Sequence, residues 1–208
     1  MEEILGHIPP VTKCLCFSAV ATSSLCFFKL VDKEDLFLDY NLVVGHYQLW
    51  RALTAFTYMG ELNIFTLLGI GLLFQNSKTL EMAIFEGVTS EFLNFILFCC
   101  SFLVLLAPWF GVSFLSESLL MCTVYLLSKK QQESYFGFLF MPVVRVPCSA
   151  LPYVYLLFGV FKKPLLLGMG VAHTYYFLNE VFPKLPTSLG VRLLKPSFLT
   201  TWIAANMF

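Results

Sequence analysis

Long apolar runs alternate with short polar breaks along the chain. A helix that crosses a bilayer needs about 20 apolar residues for a hydrocarbon layer about 30 Å thick. That ruler predicts six membrane-spanning helices, near residues 12–31, 60–77, 92–107, 113–128, 147–161 and 164–182. Asp32-Lys33-Glu34-Asp35 closes the first, Gln75-Asn76-Ser77-Lys78 the second, and Pro108-Trp109 with Gly111 the third. Ser128-Lys129-Lys130 closes the fourth, and Phe182-Pro183-Lys184 the sixth. Residues 36–58 mix apolar positions with Asp39, Asn41, His46, Gln48 and Arg51. They predict a long interfacial first loop with short amphipathic helices. Runs four and five are short for a span, a mismatch met by local thinning of the bilayer or by burial inside the bundle.

Composition sharpens this picture. Hydrophobic residues make up 58% of 208 positions and charged residues 12%, against roughly 25% charged in a soluble domain. A single soluble core of this size cannot hide so much apolar surface. Disorder, a disulfide scaffold and a free cytosolic enzyme are excluded, and the expected class is an all-α integral membrane protein. Thirteen basic residues balance thirteen acidic ones, so no nucleic-acid partner is expected. The seven cysteines include no C-x-x-C pair, and neither a metal nor any other cofactor is expected. The acidic start Met1-Glu2-Glu3 does not resemble a cleaved signal peptide. Eight Lys/Arg fall at the termini and even-numbered connections and five at the odd-numbered ones, which predicts cytosolic termini. The expected division is a six-span domain, 1–183, and a short cytosolic tail, 184–208.

Four features could carry function. Trp50 and Arg51 sit in the first loop, where the pair is either an interfacial anchor or a lock holding the loop to the bundle. In the sixth run, Gly168 and Ala172 form a small-xxx-small pair that lets helices approach. His173 shares a face with Gly170; it is read as a packing histidine bonded to a polar partner, or as a functional one. Ser116, Glu117 and Ser118 open the fourth run as possible lining of a polar groove. Glu81, Glu86 and Glu91 are read as a solvated face.

Several strings taken together resemble the derlins, members of the rhomboid superfamily. They are Gln48-Leu49-Trp50-Arg51, Leu80-Glu81, Val124-Tyr125 through Lys130, G-x-G-x-A-H-x-Y-x-F-L-x-E-x-F-P over 168–183, and LLKPSFL over 193–199. The resemblance runs from about residue 45 to 200 and implies a six-span rhomboid-like bundle in the endoplasmic reticulum membrane. It implies a non-catalytic role in degradation of misfolded proteins, which are captured and returned to the cytosol. Implied partners are a membrane ubiquitin-ligase complex, a cytosolic AAA ATPase segregase, the misfolded chains, the lipid bilayer and further copies of the same protein. The family's W-R motif maps onto Trp50 and Arg51, and its small-residue motif onto Gly168 and Ala172. Ala172 stands where the family commonly has Gly, and Asn179-Glu180 where a Glu-Asp pair is usual. Residues up to Phe208 contain no F-x-G-x-G-Q-type docking box, which leaves the route to the ATPase open.

The superfamily's proteases use a Ser on span four and a His on span six. Here Ser118 and His173 fall in those slots, so an active intramembrane serine protease is the alternative. The flanking glycines are replaced by Ser116 and Leu119, and those expected after the His by Tyr176 and Glu180. Leu119 and Tyr176 are therefore expected to hold helices four and six too far apart for chemistry. Paired intramembrane charges or inverted repeats, which a transporter would need, are not seen.

Overall fold

A computed structural model describes residues 8–138, 141–159, 162–184, 194 and 198–206. The chain is mainly helical. The first apolar run forms α1, Pro10–Phe27. Three short helices follow in the first loop: α2, Lys33–Leu36, α3, Tyr40–Gly45, and α4, Trp50–Thr57. Next come α5, Ile64–Thr79, which runs on through a π-helical turn, Leu80–Ile84, and α6, Thr89–Phe110. The central helix is α7, Ser116–Lys130. After the β-hairpin come α8, Leu151–Phe158, and α9, Lys163–Tyr176, which is extended by a second π-helical turn, Phe177–Val181. Last is α10, Phe198–Ala205, packed against α6. Most of the 184–208 tail, including most of LLKPSFL, lies outside the described residues.

The polar and apolar helices occupy inverted positions. α7 carries Ser116, Ser118, Thr123 and Ser128, yet Ser118 through Ser128 is buried on every face. Two of its hydroxyls are satisfied within the helix: Thr123 donates to the Leu120 carbonyl at 2.7 Å and Ser128 to that of Tyr125 at 2.7 Å, while Ser116 and Ser118 donate to carbonyls of neighbouring segments. The strongly apolar α6 instead exposes Leu97, Leu105 and Trp109, and α1 exposes Phe17 and Phe27. Oily side chains outside and bonded hydroxyls inside suit a hydrocarbon solvent rather than water. Among the described residues, two helices, α1 and α6, are long and apolar enough to cross a membrane by length and composition.

The structure departs from the sequence reading at several points, the first being the end of the third run. α6 continues through Pro108 to Phe110, because a proline near a helix end disturbs few backbone bonds. Gly111, at φ 63°, then ends it in the left-handed conformation. The connection after α7 holds a hairpin the apolar pattern did not show: β1, Tyr135–Phe138, pairs antiparallel with β2, Met141–Pro147. Aromatic and β-branched residues in that stretch favour the extended backbone. The acidic patch is not uniformly solvated either: Glu81 is buried at 1% exposure.

Glu81 fills a need that α1 creates. The residue preceding α1 is Pro9, which has no side-chain acceptor for the helix's first amides. The Glu81 carboxylate accepts from the Val11 amide at 3.3 Å, the Thr12 amide at 2.9 Å and the Thr12 hydroxyl at 2.8 Å. A carboxylate is favoured there by the helix dipole as well.

Helix ends gather at two poles. At one, the Leu38 amide donates to Ser113, the Leu115 amide to Ala55, and the Ser116 hydroxyl to Tyr58. This ties the first loop to the start of α7. At the other, Glu81 meets the start of α1, and Lys130 meets Glu180 at 2.6 Å.

Candidate functional site

Trp50 and Arg51 are adjacent in sequence but point to different environments. Trp50 is 55% exposed, whereas Arg51 is buried. The guanidinium donates to Gln48 Oε1 at 2.6 Å and to the Glu34 carbonyl at 2.8 Å, and pairs with Asp35 at 3.5 Å. It also lies over the Phe37 ring, 5.5 Å from its centre. A planar fork with five donors can knit several loop segments at once, which an ammonium cannot do. Arg51 thus locks α2 to α4, and Trp50 is left outward.

The α7–α9 seam holds the other candidates. The helices run parallel, and the bonds across the seam keep a near-constant numbering offset. The Ser118 hydroxyl donates to the Pro164 carbonyl at 2.8 Å, and the Cys122 thiol to the Gly168 carbonyl at 3.2 Å. The Tyr125 hydroxyl and His173 Nδ1 are 2.7 Å apart. Partners along this seam therefore differ by 46 to 48 positions. Ser118 and His173 differ by 55, seven to nine positions beyond that offset, so they sit about 10 to 13 Å apart along the helix axes.

This corrects the expected cause of their separation. Leu119 and Tyr176 do not hold the helices apart. A Cβ on Gly168 would overlap the Ser118 carbonyl oxygen and lie 3.0 Å from the Met121 Cβ. Ala172 is fully buried on the same face. Serine and imidazole are separated by axial register, not by width, and each is bonded to another partner.

The remaining candidates scatter. Gly170 faces open space: nothing lies within 4 Å of a Cβ built there. His173 shares that outward face and is exposed except for its bond to Tyr125. Ser116 is buried, bonded to the Tyr58 carbonyl at 2.7 Å. Glu117 pairs with Lys162 at 2.9 Å, with both side chains about half exposed. Ser116, Glu117 and Ser118 therefore reach three different partners and do not converge on one point.

Two residues of the assembled site were not singled out by sequence. Tyr125 counted only as part of a motif, because nothing local announces that it faces His173 48 positions later. Glu81 looks like Glu86 and Glu91 in the sequence; only the missing acceptor ahead of α1 sets it apart. Beside Tyr125 a cavity of about 430 Å3 opens between the end of α7 and the start of α8.

A buried central helix, a close-packed glycine seam and an arginine-locked first loop define a helical membrane-protein architecture without an assembled serine–histidine pair. The family model described as the Der1-like family matches residues 8–197, and the chain belongs to that family. It is 32% identical to Derlin-2.2 of Arabidopsis thaliana over 98% of this chain and 88% of that protein. It is 31% identical to Derlin-2.1 of Zea mays over 98% of this chain and 86% of the other. Derlin-1 of Oryza sativa subsp. japonica is 30% identical, covering 87% and 76%.

Proposed function

We propose that this protein is a non-proteolytic, six-span component of endoplasmic-reticulum-associated degradation. It captures misfolded proteins and eases their return to the cytosol. Both termini face the cytosol, and the pole holding the first loop faces the lumen. The alternation of helix ends between the two poles supports six crossings.

The observation that carries the mechanism is the length of α8. With the 3-10 turn before it, Cys148–Ala150, this segment is about 18 Å long. The hydrocarbon layer is about 30 Å thick. A helix this short draws the bilayer inward around it. The Tyr125–His173 pair lies near the thinned zone and offers polar contacts to a passing backbone. Each backbone group left without a partner in hydrocarbon costs several kcal/mol, so even a modest shortening of the apolar path lowers the barrier. No covalent step is needed, and a cytosolic AAA ATPase supplies the work. A membrane ubiquitin ligase, the misfolded chain and further copies of this protein complete the assembly.

The family relationship and the Ser118–His173 separation support the non-proteolytic reading. The test follows turnover of a misfolded luminal substrate in cells carrying Arg51→Ala or Gly168→Leu, each checked for normal abundance. Slower turnover supports the proposal; unchanged turnover in a well-expressed variant refutes it. Cleavage of a model membrane substrate by purified protein, lost on Ser118→Ala, would establish the protease alternative instead.

A further inference from the structure

The cavity beside Tyr125 has a one-sided chemistry. Tyr125, Ser128, Lys129 and Gln132 wall it from the end of α7, and Ser149 and Tyr153 from the start of α8. It is lined by a cation, an amide and four hydroxyls, and by no carboxylate among the described residues.

Two of the hydroxyls are already engaged. Tyr125 is bonded to His173, and Ser128 donates to the Tyr125 carbonyl. Lys129 makes no ion pair among the described residues; its ammonium rests 5.6 Å from the centre of the Tyr125 ring. The next residue, Lys130, is paired with Glu180 instead. Lys129 is a partly buried residue, and the cavity it lines offers its cation neutral polar groups but no anion among the described residues.

Depth identifies the anion. The cavity lies where α7 ends and α8 begins, which is the headgroup level of the cytosolic leaflet on the membrane placement proposed above. From its mouth, Tyr153 and Leu157 are exposed on one face of α8, four residues apart. They form an apolar track that leads into the hydrocarbon.

We propose that this cavity binds the phosphate headgroup of an anionic phospholipid, with Lys129 as the charged contact and the Tyr153–Leu157 face carrying an acyl chain. Basic pockets between membrane helices on the cytosolic side commonly take such headgroups. The site goes beyond the retrotranslocation reading and shares only the membrane placement with it. Lipid binding is measured without any degradation substrate, so the two can fail separately.

The test is native mass spectrometry of the purified full chain in mild detergent. The probe is an equimolar mixture of phosphatidylinositol and phosphatidylcholine with matched acyl chains. Phosphatidylinositol should be retained preferentially, and Lys129→Gln should lower its retention roughly tenfold. Lys129→Arg and Lys130→Gln should stay within about twofold of the unmodified chain. Ser149→Leu, which fills the mouth without removing the charge, should also lower retention. Equal retention of the two lipids, or equal losses in the Lys129→Gln and Lys130→Gln variants, overturns the site. In a separate arm, inorganic phosphate should fail to displace the lipid; full displacement at low millimolar phosphate overturns the lipid assignment in favour of a soluble anion.

Discussion

Glu81 and Thr12 are bonded twice, through the Thr12 amide at 2.9 Å and its hydroxyl at 2.8 Å, across 69 positions of sequence. One carboxylate therefore joins the π-helical turn after α5 to the first turn of α1. The second π-helical turn is used alike: it holds Glu180, which bonds to Lys130 at the end of α7. In both places a widened turn closes a helix with an acid that reaches a neighbouring element. Such turns often mark positions where geometry serves a purpose beyond the helix itself.

Removing the Glu81 carboxylate leaves two amides and a hydroxyl buried without an acceptor. Glu81→Ala should destabilise the protein by about 2 kcal/mol, within the range for losing a helix cap or a charged hydrogen bond. Glu81→Gln, which keeps one acceptor oxygen, should lose less. Thermal unfolding in detergent, with helix content followed by circular dichroism, reads the order. Equal stability of Glu81→Ala and the parent would show that this contact does not hold α1.

The glycines of α9 should behave in opposite ways. Gly168→Val drives a branched side chain into the Ser118 carbonyl, so a loss of about 2 kcal/mol or more is expected. Gly170→Ala enters open space on a helix and should be neutral, or more stable by up to about 1 kcal/mol. Comparing unfolding midpoints of the two variants checks this; similar losses at both positions would contradict the packing of the seam.

Trp50 and Arg51 should separate under mutation although they form one motif. Arg51→Lys cannot span Gln48, Glu34 and Asp35 together and should cost about 2 kcal/mol. It should also speed limited proteolysis between residues 33 and 57. Trp50→Ala should leave detergent stability nearly unchanged because its ring is exposed. Its effect, if the ring anchors the loop in the headgroup zone, should be seen only in a bilayer.

The seam also makes a prediction about chemistry. Ser118→Ala and His173→Ala should not alter the fate of any model membrane substrate incubated with the purified protein. Tyr125→Phe strips His173 Nδ1 of its partner and should cost about 1 kcal/mol of stability. Glu117→Gln should change stability by less than about 1 kcal/mol, since its pair with Lys162 is solvated. Proteolysis that depends on Ser118 would mean that α7 and α9 can slide by several residues.

Much was written in the sequence by itself. Composition excluded a soluble core, apolar runs marked where the long helices lie, and the spacing of Gly168 and Ala172 marked a close-packed face. These are local properties: side-chain chemistry and helical period act within a few turns of the chain. The tertiary structure alone decided which residues meet. It set the axial register of α7 against α9, so that Ser118 meets Pro164 and His173 meets Tyr125. It also turned Glu81 from a surface acid into a buried cap, and divided Trp50 from Arg51. Register between helices is fixed by side chains interlocking across 46 to 69 positions of sequence, and no local pattern records that fit.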